Sequence, residues 1–191
     1  MIDRNKFFTS VRPTIFGDNL SQEQVDGINA ILDAWDHWAP NSDIRFIAYS
    51  LATVYRETAA TMLPIEEYGK GRGRAYGTPT GPWNQVYDGR GDVQMTWEAN
   101  YAKATQRLRA RGIIDANTDL EKNPELAMRP DIAAPIMIFG MIEGWFTGRK
   151  LADYFNDDVE DQVNARRIIN GTDCADMIAG YYDHFYDGLA A

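Results

Sequence analysis

Apolar positions recur at helical spacing along most of this chain. Val25, Ile28, Leu32 and Trp35 form one stripe, preceded by Ser21 and Gln24 in the arrangement of a capping box. Pro40-Asn41-Ser42 breaks that helix. A second stripe begins near Asp43 and runs through Ile44, Ile47, Leu51 and Val54 towards Glu57, and Pro64 interrupts whatever helix remains. Helical patterning returns from about Trp97 to Arg111, where Gly112 suits a C-terminal cap. Pro130 suits a helix start, and Ile132 to Phe146 is strongly apolar. Pro135 within that stretch predicts a kink or a later true start. The last two helices are expected at about Val159 to Ile169 and Ala175 to Leu189. Asn170-Gly171-Thr172-Asp173 separates them, with Thr172 or Asp173 capping the second.

Between Gly69 and Gly91 the pattern changes. Glycines at 69, 71, 73, 77, 81, 89 and 91 fall among Pro79, Pro82, Tyr76, Trp83 and Tyr87. A loop this long inside a compact domain is most often functional. Short strands could form in it, for example around Gln85 to Tyr87. No internal repeat, low-complexity tract or linker interrupts the chain. The pattern therefore predicts an all-α, mostly helical protein, one domain over residues 1–191, carrying one long glycine-rich loop.

Composition narrows the chemistry. A hydrophobic content of 45% over 191 residues describes a globular protein with a substantial core. Cys174 is the only cysteine, so no intrachain disulfide can form. The formal charge of −9 argues against a nucleic-acid partner, whose affinity rests on Lys and Arg. Positive charge is local, at Lys70, Arg72 and Arg74 and again at Arg166 and Arg167. No segment has the length of a membrane span, and the N-terminus lacks the apolar run of a signal peptide. The expected state is a protein made in the cytoplasm, with no stable membrane insertion.

Glu57 falls on or beside the buried stripe of the second helix. A carboxyl group partly removed from water there would be a candidate general acid. Glu66 and Glu67 follow Pro64 at the entrance to the glycine-rich loop, and either could hold a water for attack on a sugar. An inverting glycosidase needs its two carboxyl groups roughly 6.5–9.5 Å apart, which this spacing permits without enforcing. The ordinary alternatives are a helix-end glutamate paired with Arg56 or another base, and a solvated acidic pair. Further on, Gln94 and Thr96 alternate within Gly89-Arg90-Gly91-Asp92-Val93-Gln94-Met95-Thr96-Trp97, followed by Asn100-Tyr101. Amide, hydroxyl and aromatic groups together suit sugar recognition. The alternative is a turn leading into a helix with Thr96 as its N-cap.

These segments, in this order, resemble the catalytic domain of glycoside hydrolase family 19, in the compact branch found among bacteriophage endolysins and chitinase-like bacterial proteins. The matching stretches are Leu51 to Ala59, Pro64 to Gly71, Gly89 to Trp97 with Asn100-Tyr101, Gly144 to Gly148, and Asn164 to Gly171. The segment from Phe7 to Trp35 also resembles the start of that branch. The resemblance implies a lysozyme-like, two-lobed fold with a cleft between the lobes. It implies Glu57 as general acid, Glu66 or after it Glu67 as the base, and Thr96 as a group that positions the water. It assigns substrate contacts to Gln94, Asn100 and Asn170, and the cleft floor to Tyr87 and Arg90. No cofactor or metal is implied, and His37 and His184 are the only histidines.

The expected substrate is bacterial peptidoglycan, cut at β-1,4 bonds by a monomer that reaches the wall through a pore made by another protein. The alternatives are chitin as substrate, or a glycan-binding module without catalysis. Arg56 keeps the last one open. It stands where the family commonly has His, and a guanidinium aimed at Glu57 would weaken the acid.

Overall fold

The computed structural model describes residues 2–191. Six α-helices carry the chain: α1 (Arg4–Ile15), α2 (Gln22–Trp38), α3 (Ile44–Glu57), α4 (Glu98–Ala110), α5 (Pro130–Glu143) and α6 (Ala175–Ala190). Two short strands, β1 (Ile65–Glu66) and β2 (Arg90–Gly91), pair antiparallel, with Ile65 opposite Gly91 and Glu66 opposite Arg90. The architecture is the mostly helical one that the sequence pattern predicts. No helix among the described residues is long and apolar enough to cross a membrane.

Local chemistry sets several boundaries. The Ser21 side chain accepts from the Gln24 amide, and Gln24 returns the bond to the Ser21 amide, closing the expected capping box. The Gln24 side-chain amide also donates to Ala60 O at 2.8 Å, tying the start of α2 to the turn after α3. Asp43 caps α3 by accepting from the Arg45 amide. Residues Ile47 to Val54 of α3 are all buried, packed against α2, α5 and α6. Two polar groups in this buried run are satisfied locally: Ser50 donates to Phe46 O and Thr53 to Tyr49 O, whereas the buried Tyr49 hydroxyl has no hydrogen-bond partner among the described residues.

Two hydrophobic clusters give the fold its two lobes. The larger joins α1, α2, α3 and α6, including Phe7, Leu32, Trp35, Leu51 and Phe185. The smaller gathers Tyr87, Met95, Tyr101, Leu108, Leu120 and Trp145. Helix α5 serves both, giving Met137, Ile138 and Met141 to the first and Ile132 and Ile136 to the second. That double duty explains why its apolar residues run nearly all round the helix.

Four local expectations are corrected. The helix starts at Pro130, as one expectation had it, and runs through Pro135, so there is no later start. The segment 159–169 is not an α-helix but a 3-10 turn, Asn164–Ile168. Side chains there bind the backbone instead: Asn156 accepts from the Asp158 and Val159 amides, and Asp161 from the Asn164 amide. Neither Thr172 nor Asp173 caps α6; Cys174 occupies that position with φ of 57°. Gln85 makes only an isolated bridge to Thr80, and the true strand lies at Arg90–Gly91. Helix α1, capped by Asp3, was not anticipated as an element.

Candidate active site

Helix α3 ends at Glu57 because the chain then turns into the left-handed region. Ala59, Ala60 and Met62 have φ of 50°, 67° and 59°, conformations that non-glycine residues rarely hold without outside support. The support is visible: the Thr58 hydroxyl donates to Val54 O and accepts from the Met62 amide, while Gln24 holds Ala60 O. Glu57 is thereby presented at the edge of a cleft of about 750 Å³.

A tight turn builds another part of that cleft. The Arg90 and Met95 backbones exchange hydrogen bonds at 3.2 and 3.0 Å, and the Trp97 amide donates to Tyr87 O at 3.0 Å. Gly91 sits in this turn at φ of 87°, and a Cβ there would lie 2.9 Å from Ala127 O, so the position demands glycine twice over. The turn delivers Gln94, Thr96 and Trp97 to the cleft. The Gln94 amide donates to Ile65 O at 2.9 Å, and the Asn100 amide to Thr96 O at 2.9 Å. Thr96 is not an N-cap. Trp97 occupies that position without a side-chain bond.

The two glutamates after Pro64 part company. Successive residues of an extended strand face opposite sides. Glu67 is among the cleft-lining residues, accepting from the Tyr76 hydroxyl and the Gly89 amide, both at 3.3 Å. Glu66 is not among them. Its carboxylate pairs with Lys70 Nζ at 2.9 Å and Arg90 Nη2 at 3.0 Å. The hydrogen bond from Lys70, reinforced by Arg90, holds the Glu66 carboxyl below its ordinary range.

Arg90, expected at the cleft floor, lies outside the lining, and Tyr87 lines only a neighbouring hollow of about 430 Å³ that shares Tyr76 and Trp97 with the cleft. Tyr87 is fully buried in the smaller cluster and donates to Glu121 O at 2.9 Å. Arg90 is a buried clamp, contacting Glu66, Asp88 Oδ1 at 2.6 Å and Val86 O at 3.0 Å. Both hold the turn in place. Glu57, Glu67, Gln94, Thr96, Asn100 and Asn170, by contrast, share the one cleft.

Arg166, Tyr76 and Trp97, to which the sequence assigned no individual role in the site, also line the cleft. Arg166, almost entirely buried, donates from Nη1 to Glu57 Oε1 at 2.6 Å and from Nε to Asp173 O at 3.0 Å. Arg56 directs Nη2 at Cys174 Sγ, 3.4 Å away, so the guanidinium aimed at Glu57 is that of Arg166 and not that of Arg56. Tyr76 and Trp97 form an edge-to-face pair with centroids 5.6 Å apart, and Trp97 is 51% exposed. The sequence signal for Trp97 is its place at the end of the motif whose amide, hydroxyl and aromatic groups suit sugar recognition. Among the described residues, no group of three or more His, Cys, Asp or Glu is arranged to hold a metal ion.

No family model matches the sequence, and no curated protein does either. Solved structures do match. Chitinase C from Streptomyces griseus HUT6037 aligns with all of this chain and 77% of its own, at 21% identity and a TM-score of 0.62. A bacterial family 19 chitinase aligns with all of this chain and 95% of its own, at 21% identity and a TM-score of 0.56. A family GH19, class IV chitinase from Zea mays aligns with 98% of this chain and 90% of its own, at 20% identity and a TM-score of 0.59. Across essentially its whole length, the chain is similar in fold to family 19 chitinases.

Proposed function

We propose that this protein is a glycoside hydrolase that cleaves β-1,4 bonds in the glycan strands of bacterial peptidoglycan. The observation that carries the reading is the meeting of Glu57 and Glu67 in one polar cleft, with Thr96, Gln94, Asn100 and Asn170 around them. Glu57 acts as the general acid. It protonates the glycosidic oxygen as the bond to the anomeric carbon breaks. Glu67 acts as the base, taking a proton from the water that attacks that carbon on the other face, with inversion. The Thr96 hydroxyl, which has no partner in the protein among the described residues, helps hold that water. Gln94, Asn100 and Asn170 supply hydrogen bonds to sugar hydroxyls and acetamides. Tyr76 and Trp97 offer apolar ring surface to sugar faces.

Of the two acidic candidates, Glu67 is the base because it lines the cleft, while Glu66 is already committed to two cations. A second reading has its own support. The solved structures that share the fold are chitinases, so chitin is the alternative substrate with the same carboxylates in the same roles. Reducing-end release from purified peptidoglycan and from chitin oligosaccharides, measured side by side, tests the choice. Faster cleavage of peptidoglycan is expected. Cleavage of chitin alone would replace the first reading with the second.

A further inference from the structure

The cleft of this acidic protein contains three arginines, and only one has a carboxylate partner. Arg166 is matched to Glu57. Arg56 and Arg74 line the same cleft, are exposed, and have no carboxylate oxygen within ion-pair distance among the described residues. They reach it from separate parts of the chain. Arg56 stands in the last turn of α3, immediately before Glu57. Arg74 precedes the 3-10 turn Ala75–Gly77, two residues before Tyr76.

The loop that presents Arg74 is closed with little slack. The Arg74 amide donates to Gly71 O at 2.8 Å and its carbonyl accepts from the Gly77 amide at 3.0 Å. Gly71 and Gly77 lie so close that a Cβ on Gly77 would stand 1.8 Å from Gly71 O. Only glycine allows that approach. Arg74 therefore projects from a fixed base next to Tyr76, and not from a free tail.

A neutral glycan offers these two guanidinium groups nothing that the neighbouring amides and hydroxyls do not already recognise. A glycan substituted with carboxylates offers each a charge-assisted hydrogen bond. With a net charge of −9, the protein as a whole repels such a strand, so local cations are needed where it must bind. We propose that Arg74 and Arg56 bind carboxylates carried on the sugar or on its peptide substituent, and so make the cleft selective for an anion-bearing glycan. This rests on the reading of the cleft as a glycan site; it adds which residues read the substituent.

The test compares soluble peptidoglycan fragments with the same fragments after their carboxylates have been converted to amides. Binding is measured by calorimetry and cleavage by reducing-end release, for wild type, Arg74→Gln, Arg56→Gln and the double variant. Wild type is expected to prefer the carboxylated fragments by about tenfold at low salt, through two exposed charge contacts. Each single variant should lose part of that preference and the double variant nearly all of it. Affinity for the amidated fragments should change far less than that for the carboxylated ones, and native circular dichroism shows that the variants are folded. Equal binding of both fragments by wild type would overturn the proposal, as would equal losses on both in the variants. Preferential binding without cleavage would uphold the arginines and sink the hydrolase reading. Absence of binding to either fragment would overturn both.

Discussion

Arg166 Nη1 lies 2.6 Å from Glu57 Oε1, joining residues 109 positions apart at the mouth of a cleft. The same guanidinium donates from Nε to Asp173 O, so it links the end of α3 to the turn that precedes α6. Glu57 is thus held by a cation that is itself held by backbone. The orientation of the acid does not depend on the flexible reach of a surface side chain.

Removing that cation should cost both stability and activity. Arg166→Ala leaves a partly buried carboxylate without its partner, a change worth roughly 3 kcal/mol or more in buried pairs. Arg166→Lys keeps the charge but cannot serve two acceptors in the fork geometry of a guanidinium. Thermal unfolding should rank wild type above Lys and Lys above Ala. Reducing-end release should fall more than tenfold in the Lys variant, even where circular dichroism shows it folded.

Trp97 is 51% exposed and packs edge-to-face on Tyr76 in the lining of the cleft. If it serves as a sugar platform, Trp97→Ala should raise KM by about tenfold, in line with the 0.5–1.5 kcal/mol an aromatic contact contributes beyond area. The value of kcat should change less. Steady-state kinetics on soluble fragments separate the two, and a loss confined to kcat would argue against the platform.

Asp92 makes stability depend on pH. It is 2% exposed, its Oδ1 has no partner, and it borders a small apolar cavity between α2 and the start of α5. Burial pushes its carboxyl up from 3.8 to about 7. A raised value means that the folded protein holds this proton where the unfolded chain releases it. The stabilisation is therefore full below the unfolded value of 3.8 and is lost as pH rises through about 7. Asp92→Asn should remove this slope. Its melting temperature relative to wild type should rise between pH 5 and pH 8, by the equivalent of about 1–4 kcal/mol. Parallel profiles for the two proteins would show that Asp92 does not titrate in this range.

Features fixed by neighbours in the chain were legible in the sequence. The Ser21–Gln24 box that opens α2, the start of α3 near Asp43 and the stripe from Ile44 to Val54 are all local patterns, and the last two correctly place the helix that ends at Glu57. Features fixed at a distance were not. Which of Glu66 and Glu67 faces the cleft depends on pairing with Arg90–Gly91, more than twenty residues on. The segment around Arg166 has helical spacing, but Asn156 and Asp161 capture its backbone and coil it into a short turn. No periodicity reveals that this turn carries the partner of Glu57. Tyr87 and Arg90 belong to the recognisable motif, yet they support the turn from behind and leave the cleft to Gln94, Thr96 and Trp97.

The most direct test of the proposed mechanism is reducing-end release from purified peptidoglycan by Glu57→Gln, Glu67→Gln and Glu66→Gln in parallel, each checked for native circular dichroism. Glutamine keeps the shape and removes the proton chemistry. The first two should lose at least about 100-fold in rate, as expected when an acid or base is lost, while Glu66→Gln should stay within a few-fold of wild type. Retained activity in Glu57→Gln, or its loss in Glu66→Gln with activity kept in Glu67→Gln, would contradict the proposed mechanism.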